Sequence, residues 1–145
     1  MIKKILVALL LLPTLVCAQI NTERVMMIAR NALYFEDYVL SIQYFNQVIN
    51  AKPYLYEPYF FRGLAKINLD DYQGAEKDCS EAIQRNPFVV NAYQIRGIAR
   101  IRQNNFKGAV ADYQRALKLD PENISLWHNL VLCRMKLEEY PSAKS

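Results

Sequence analysis

A period of 34 residues is the feature that most constrains what this chain can fold into. When residues 56–89 are laid over residues 90–123, identical or similar side chains coincide along the whole segment. The coinciding pairs are Tyr59 and Tyr93, Arg62 and Arg96, Gly63 and Gly97, Ala65 and Ala99, Lys66 and Arg100, Tyr72 and Phe106, Gly74 and Gly108, Ala75 and Ala109, Asp78 and Asp112, Ala82 and Ala116, and Pro87 and Pro121. Fainter copies on either side divide the chain into units 22–55, 56–89 and 90–123 and an incomplete unit 124–145. Self-similarity at such a period indicates stacked units that share a continuous core.

Each unit has the pattern of two helices joined by a short turn. In the second unit Pro58 falls in the first turn of a helix, where its missing N–H is not needed. Apolar residues then recur at helical spacing up to the pair Asp70 and Asp71, which predicts a turn. A second helix follows and ends before Pro87, because a residue that precedes proline is disfavoured in the helical conformation.

This pattern resembles the tetratricopeptide repeat, a helix–turn–helix of 34 residues with an aromatic residue at unit position 4, glycine at 8, an aromatic residue at 17, alanine at 20 and 27, and proline at 32. The residues that carry the resemblance are Tyr59, Tyr93, Trp127, Gly63, Gly97, Tyr38, Tyr72, Phe106, Tyr140, Ala75, Ala109, Ala82, Ala116, Pro53, Pro87 and Pro121. It implies an all-α fold over residues 19–145, a right-handed α-solenoid of antiparallel helix pairs. The first unit departs from the pattern at Val25, Ala29, Ser41 and Val48, as terminal repeats often do.

The N-terminal residues 1–18 have the pattern of a secretory signal peptide. Lys3 and Lys4 precede an apolar run that ends in small residues before Gln19. The run is shorter than the roughly 20 residues that span a bilayer. We therefore expect cleavage after Ala18, no membrane span afterwards, and a secreted, periplasmic or cell-envelope protein. Lipidation of Cys17 is the disfavoured alternative, because bulky residues precede it.

Charge and composition exclude several functional classes. The signal peptide would take two of the 18 basic residues with it, and the remaining 16 face 14 acidic ones, which gives no reason to expect nucleic acid as a partner. His128 is the only histidine, and Cys79 and Cys133 lie in different units, so we predict no metal site and no cofactor. The two cysteines fit buried apolar positions better than a disulfide. No nucleophile–base pattern or phosphate-binding loop is present, and we predict that the protein is not an enzyme.

Charged residues occupy unit position 7, which is usually apolar in this family, and the same units carry an opposite charge at position 23. Arg62 and Arg96 stand at position 7, and the same two units carry Asp78 and Asp112 at position 23. The first unit has neither charge, with Ile28 and Tyr44 at these positions. We predict structural Arg–Asp ion pairs that link the two helices of a unit or bridge neighbouring units. Recent duplication of one unit is the alternative explanation.

Family resemblance places function in the concave groove, which positions 2, 5, 9, 12 and 13 of the first helices line. The candidate partner-binding residues are Met26, Arg30, Tyr34, Glu57, Phe60, Asn68, Asn91, Gln94, Arg102 and His128. Apolar residues at positions 9 and 12, such as Leu64 and Ile101, fit packing equally well. This mixed surface is typical of one that holds an extended or helical peptide.

Some members of the family bind the acidic tails of heat-shock chaperones with lysines and asparagines at positions 2, 5, 6 and 9. The corresponding residues here include Met26, Met27, Phe60, Phe61, Leu64, Gln94 and Ile95. We therefore expect no such clamp.

The incomplete fourth unit leaves two hypotheses about the whole protein. Trp127, Leu130 and Val131 stand at positions that normally pack on a second helix, so they either cover something else or belong to the N-terminal piece of a longer protein. We favour the longer protein. The leading functional hypothesis is an exported scaffold or adaptor that binds a partner protein or peptide in its groove. The alternative is a non-catalytic docking module at the N-terminus of a larger envelope protein or enzyme.

Overall fold

The computed structural model describes residues 21–139, and these residues form helices without any strand. The described part of α1 covers residues 21–34. The other helices are α2 (Tyr38–Ala51), α3 (Glu57–Asn68), α4 (Tyr72–Arg85), α5 (Val90–Arg102), α6 (Phe106–Leu119) and α7 (Ile124–Glu139). The predicted signal peptide 1–18, Cys17 and Tyr140 lie outside the described residues. Within residues 21–139, no helix is long and apolar enough to cross a membrane.

The helices stack in chain order. From α2 onward each helix packs mainly against the next one, and α3 also contacts α5 across the intervening helix. Helix α3 and helix α4 lie within unit 56–89, and helix α5 and helix α6 lie within unit 90–123. The prediction of an all-α solenoid is confirmed.

A left-handed residue and a capping side chain build each turn within a unit. Glu36, Asp70 and Asn104 have φ values of 62°, 60° and 60°, and they recur at the repeat period. The residue after each of them caps the following helix; the Asp71 carboxylate, for example, accepts a hydrogen bond of 2.9 Å from the backbone N–H of Gly74. Asn and Asp tolerate the left-handed region better than other residues with a side chain. The turn therefore fixes the two helices of a unit as an antiparallel pair.

Small residues set the distance between paired helices. A Cβ atom on Gly63 would lie 3.1 Å from Cys79 Sγ, and one on Gly97 would lie 2.9 Å from Tyr113 Cζ. Both contacts are tighter than ordinary packing, so a larger residue at Gly97 would displace the Tyr113 ring and one at Gly63 would press on Cys79.

The apolar core continues into the incomplete fourth unit. Leu126, Leu130 and Cys133 of α7 join a buried cluster with residues of α5 and α6, and Leu130 is only 2% exposed. Leu130 is therefore already covered within the described residues, in a cluster with Tyr113 and Leu117 of α6. Trp127 and Val131, by contrast, remain about half exposed, at 49% and 50%.

The aromatic residue at position 4 ties each unit to the preceding turn. Tyr59 donates a hydrogen bond of 3.1 Å to the Pro53 carbonyl. Tyr93 donates one of 2.9 Å to the carbonyl of Pro87. In the fourth unit, Trp127 Nε1 donates one of 2.8 Å to the carbonyl of Pro121. The same joint therefore connects all the described units.

Candidate functional site

The first helices of the first two units enclose a surface cavity of about 510 Å³. It brings together Met26, Arg30 and Tyr34, which the sequence predicted for the groove. Its full lining is Glu23, Met26, Met27, Arg30, Asn31, Leu33, Tyr34 and Phe61. We call it the α1–α3 cavity.

Aromatic contacts build the floor and rim of the α1–α3 cavity. Phe61 stacks on Phe45, with 5.9 Å between ring centroids and 12° between ring planes. The Arg30 guanidinium lies 5.2 Å from the centroid of Phe61, a cation–π distance that orients this side chain at the rim. Tyr34 is 80% exposed and packs edge-on against Phe35. The cavity therefore presents apolar and aromatic surface with one oriented cation.

Phe61 is the aromatic residue of this cavity that the candidate set missed; the set also omitted Glu23, Met27, Asn31 and Leu33. Phe61 stands at position 6 of its unit, next to the predicted Phe60, whose ring lies 5.1 Å from that of Phe61. The adjacent phenylalanines Phe60 and Phe61 are the sequence feature that could have identified Phe61 as a lining residue.

The structure does not bring the remaining candidates into the α1–α3 cavity. Asn68 donates a hydrogen bond of 2.8 Å to the Leu64 carbonyl of its own helix. The Arg102 guanidinium lies 5.9 Å from the ring centroid of Tyr72. The other candidates stand on α3, α5 and α7 and are half-buried or exposed: Glu57, Asn91, Gln94 and His128.

A second surface cavity, of about 440 Å³, lies where α7 passes the turn between α5 and α6. Leu132 and Met135 are 46% and 59% exposed there. Ile101, Phe106 and Lys136 also line it. Its chemistry is mainly apolar, like that of the α1–α3 cavity.

The predicted Arg–Asp partners of the second unit are in contact. Arg62 donates from Nε to Asp78 Oδ2 at 2.8 Å and from Nη2 to Oδ1 at 2.6 Å. Lys66 Nζ adds an ion pair of 2.9 Å to Oδ2. The Asp78 side chain is 1% exposed, whereas its two cations are 19% and 21% exposed. The carboxylate is therefore buried between two cations that keep partial contact with water.

The third unit repeats this arrangement. Arg96 Nη2 lies 2.6 Å from Asp112 Oδ1, and Arg100 Nη1 lies 2.9 Å from Oδ2. Arg96 also donates a hydrogen bond of 3.1 Å to Ser80 of the preceding unit. Arg62 donates likewise to Asn46, at 2.8 Å. Each arginine thus links the helices of its own unit and bridges to the unit before it.

Sequence reasoning missed the second cation of each cluster. Lys66 and Arg100 coincide at the repeat offset, so that charge is kept while the residue type changes. The first unit has Ala32 at that position, as it also lacks the arginine and the aspartate. The cation at this position therefore occurs only in the units that also have the arginine and the aspartate, and this pattern could have predicted it as a third member of the cluster.

The cysteines have no reactive setting. Cys79 and Cys133 are free and buried. Burial raises the pKa of the Cys79 thiol to about 12 and that of the Cys133 thiol to about 11. Both thiols are therefore protonated at neutral pH and poor nucleophiles. Residues 21–139 hold no cluster of His, Cys, Asp and Glu that could bind a metal ion.

Comparison with known families identifies the repeat. Residues 56–88 match a family model described as a tetratricopeptide repeat, and residues 97–132 match a second model of the same repeat. No curated protein matches the sequence at a significant level.

Solved structures share the fold. The Arabidopsis OM64 TPR domain superposes with a TM-score of 0.78 at 25% identity, over 81% of this chain and 98% of that one. The first TPR domain of Spaghetti (RPAP3), bound to the HSP90 peptide SRMEEVD, gives 0.76 at 26% identity, over 81% and 95% of the two chains. MamA gives 0.79 at 18% identity, over 85% and 67%, a likeness of fold alone. The described residues of this chain form an all-α solenoid of tetratricopeptide repeats, a fold that generally serves as a non-catalytic module for protein interaction.

Proposed function

We propose that this protein is an exported scaffold or adaptor that binds a segment of a partner protein on the face formed by its first helices, with the α1–α3 cavity as the anchoring site. The observation that carries the proposal is the exposure of Tyr34 and Met27, at 80% and 57%, beside a cavity floored by Phe61. Exposed large apolar side chains grouped around a hollow are typical of binding surfaces.

The shape and chemistry of the cavity favour an apolar anchor. A volume of about 510 Å³ accommodates one or two large side chains. Methionines adapt to differently shaped ligands, and both Met26 and Met27 line the cavity. Arg30, held over Phe61, supplies a cation for a carboxylate or carbonyl beside the anchor. The preferred segment therefore carries a large apolar residue next to an acidic or carbonyl oxygen.

The structural relative that holds an acidic chaperone peptide does not define this partner. The lysines and asparagines that form the chaperone clamp in the family are replaced here by residues such as Phe60, Gln94 and Ile95. We therefore propose recognition led by apolar contact, with charge in a secondary role.

Site-specific photocrosslinking tests the anchoring site. A photoreactive phenylalanine analogue at Tyr34 is expected to trap a partner in cells, whereas the same analogue at Gln84, an exposed position of α4, is not. With that partner purified, Tyr34→Ala with Met27→Ala is expected to weaken binding at least tenfold, and Gln84→Ala to leave it unchanged. Equal affinities for all these variants, with helical content preserved, contradict the proposal.

Intact mass spectrometry of the envelope fraction tests export and the alternative function. Cleavage after Ala18 predicts a polypeptide that begins at Gln19. A docking module of a larger protein predicts instead that antibody against these repeats detects a polypeptide well above the 16.9 kDa of this chain. Recovery of the uncleaved chain from the cytoplasm contradicts export in either form.

A further inference from the structure

The outer side of α7 and the neighbouring side of α6 form another exposed surface, separate from the two cavities described above. A cavity of about 610 Å³ lies between the two helices. Trp127, Leu130 and Arg134 of α7 line it together with Arg115 and Lys118 of α6. We call this surface the end face. None of its residues lines the α1–α3 cavity.

The second and third units show what covers the corresponding surface. Tyr59 and Tyr93 stand where Trp127 stands and make the same hydrogen bond to a proline carbonyl. Tyr59 is only 7% exposed, because Arg85 of α4 lies over its ring at 4.0 Å. Tyr93 is 5% exposed and packs in the core cluster with α6. Trp127 has the same anchoring and lacks the covering helix within residues 21–139.

The charges of the end face show what a covering helix must carry. In the inner units the cation at position 11, Lys66 or Arg100, pairs with an aspartate of the helix that follows. Arg134 stands at position 11 of α7 and makes no ion pair within residues 21–139. Arg100 also pairs with Glu76 of the preceding helix α4, at 2.9 Å. The residue of α6 equivalent to Glu76 is Val110, which has no charge to pair with Arg134. The lining of the end face holds cations and no carboxylate, so that its complement is acidic.

We propose that the end face binds an amphipathic helix of a partner protein, with a carboxylate of that helix paired to Arg134 in the way that Asp78 pairs with Lys66. The apolar side of the helix covers Trp127 and Val131. Val131 replaces the glycine found at position 8 of the inner units, where Gly97 lets the Tyr113 ring approach. The docked helix therefore stands farther from α7 than α6 stands from α5.

The chain itself supplies a matched probe. A peptide of residues 71–87 contains the α4 sequence and has four acidic and two basic side chains, whereas residues 105–121 of α6 have two acidic and three basic ones. The probe is the 71–87 peptide with Cys79→Ser, and the 105–121 peptide is its control of opposite net charge. Trp127 is the only tryptophan of the chain, and neither peptide contains one. Its emission therefore reports directly on coverage of the end face.

Titration of the full chain with the acidic peptide is expected to shift Trp127 emission to the blue and to raise the helical content of the peptide. The control peptide is expected to bind at least fivefold more weakly. Arg134→Gln in the protein and Asp78→Asn in the peptide are each expected to weaken binding at least fivefold, with no further loss when they are combined. Arg24→Gln, at an exposed position of α1, is the matched control and leaves the affinity unchanged. Arg134 is exposed, so that its replacement leaves the fold intact.

Four results overturn the proposal. The first is an emission spectrum that stays unchanged up to millimolar acidic peptide, and the second is an affinity that Arg134→Gln does not alter. The third is a Trp127 indole that is buried in the full chain and becomes exposed when residues 140–145 are deleted. That result would mean that the full chain covers its own end face. The fourth is a dimer in sedimentation equilibrium that Arg134→Gln dissociates, since the occupant is then a second copy.

Discussion

Replacing Asp78 by leucine removes the acceptor that two cations share in the second unit. The carboxylate is 1% exposed and lies 2.6 Å from Arg62 Nη2 and 2.9 Å from Lys66 Nζ. Removing one partner from a buried pair costs about 3–5 kcal/mol, because it leaves an uncompensated charge. Arg62 and Lys66 keep about one fifth of their exposure, which lowers that cost through hydration. We expect Asp78→Leu to reduce the free energy of unfolding by about 2–4 kcal/mol.

The partner change is expected to cost less. Arg62→Leu leaves Asp78 paired with Lys66, and the lost bidentate contact corresponds to about 1–3 kcal/mol. In the double variant the carboxylate and the guanidinium are both absent, so the second change adds little. The coupling energy of the cycle should therefore be at least about 1 kcal/mol.

Urea unfolding, followed both by circular dichroism and by the fluorescence of Trp127, measures all the variants of this cycle. Coincidence of the two transitions establishes that a single free energy describes each variant. Lys77→Leu, an exposed change on the same helix, is the control and should stay within about 0.5 kcal/mol of the parent protein. Additivity of the two single changes within about 0.5 kcal/mol would refute a stabilising pair.

Other changes probe the interior more locally. Gly97→Ala places a methyl group 2.9 Å from Tyr113 Cζ and should lower stability by about 1–2 kcal/mol in urea unfolding; an unchanged midpoint would mean that the helices separate freely. The Tyr113 hydroxyl is buried without a hydrogen-bond partner in residues 21–139, so Tyr113→Phe should raise the free energy of unfolding by up to about 1 kcal/mol, and a loss would reveal a partner. Burial raises the pKa of the Cys79 thiol from 9.0 to about 12 in the folded state. The protonated Cys79 thiol therefore stabilises the folded state fully below pH 9, and this contribution is lost as the pH rises towards 12. The stability difference between the parent protein and Cys79→Ala should therefore shrink by about 2 kcal/mol from pH 8 to pH 10.5, and a constant difference contradicts the shift.

The sequence predicts this fold well because local signals decide most of it. Each unit packs only on its neighbours, so the period by itself specifies which helices meet. Pro58 and the capping residue Asp71 fix where helices begin, and Gly63 fixes where two of them approach closely. These effects act over a few residues or between adjacent helices, where a pattern read along the chain is sufficient.

The α1–α3 cavity depends on side-chain size, which the repeat positions do not encode. Position numbers predicted that Met26 and Phe60 face the groove, but Phe61 is the ring that lines the cavity. It does so because it stacks on Phe45 of the first unit. The third unit has Ile95 in place of Phe61, and no stacked pair forms there. A cavity of this kind arises from two particular units together, so that comparison of units one by one could not locate it.

The charge clusters and the two candidate binding surfaces occupy different parts of the solenoid, and this separation has a consequence for both proposals. Arg62 and Arg96 each bind three helices together in the middle units. The first unit has apolar residues at the equivalent positions, and α7 has Leu130 in place of the arginine. The α1–α3 cavity involves the first unit and the end face involves α7, so both surfaces lie at the margins of the charge network. Distant sites without shared partners behave additively. Arg62→Leu should therefore lower the urea midpoint while leaving peptide affinity at the end face unchanged in the folded protein, and Arg134→Gln should do the reverse.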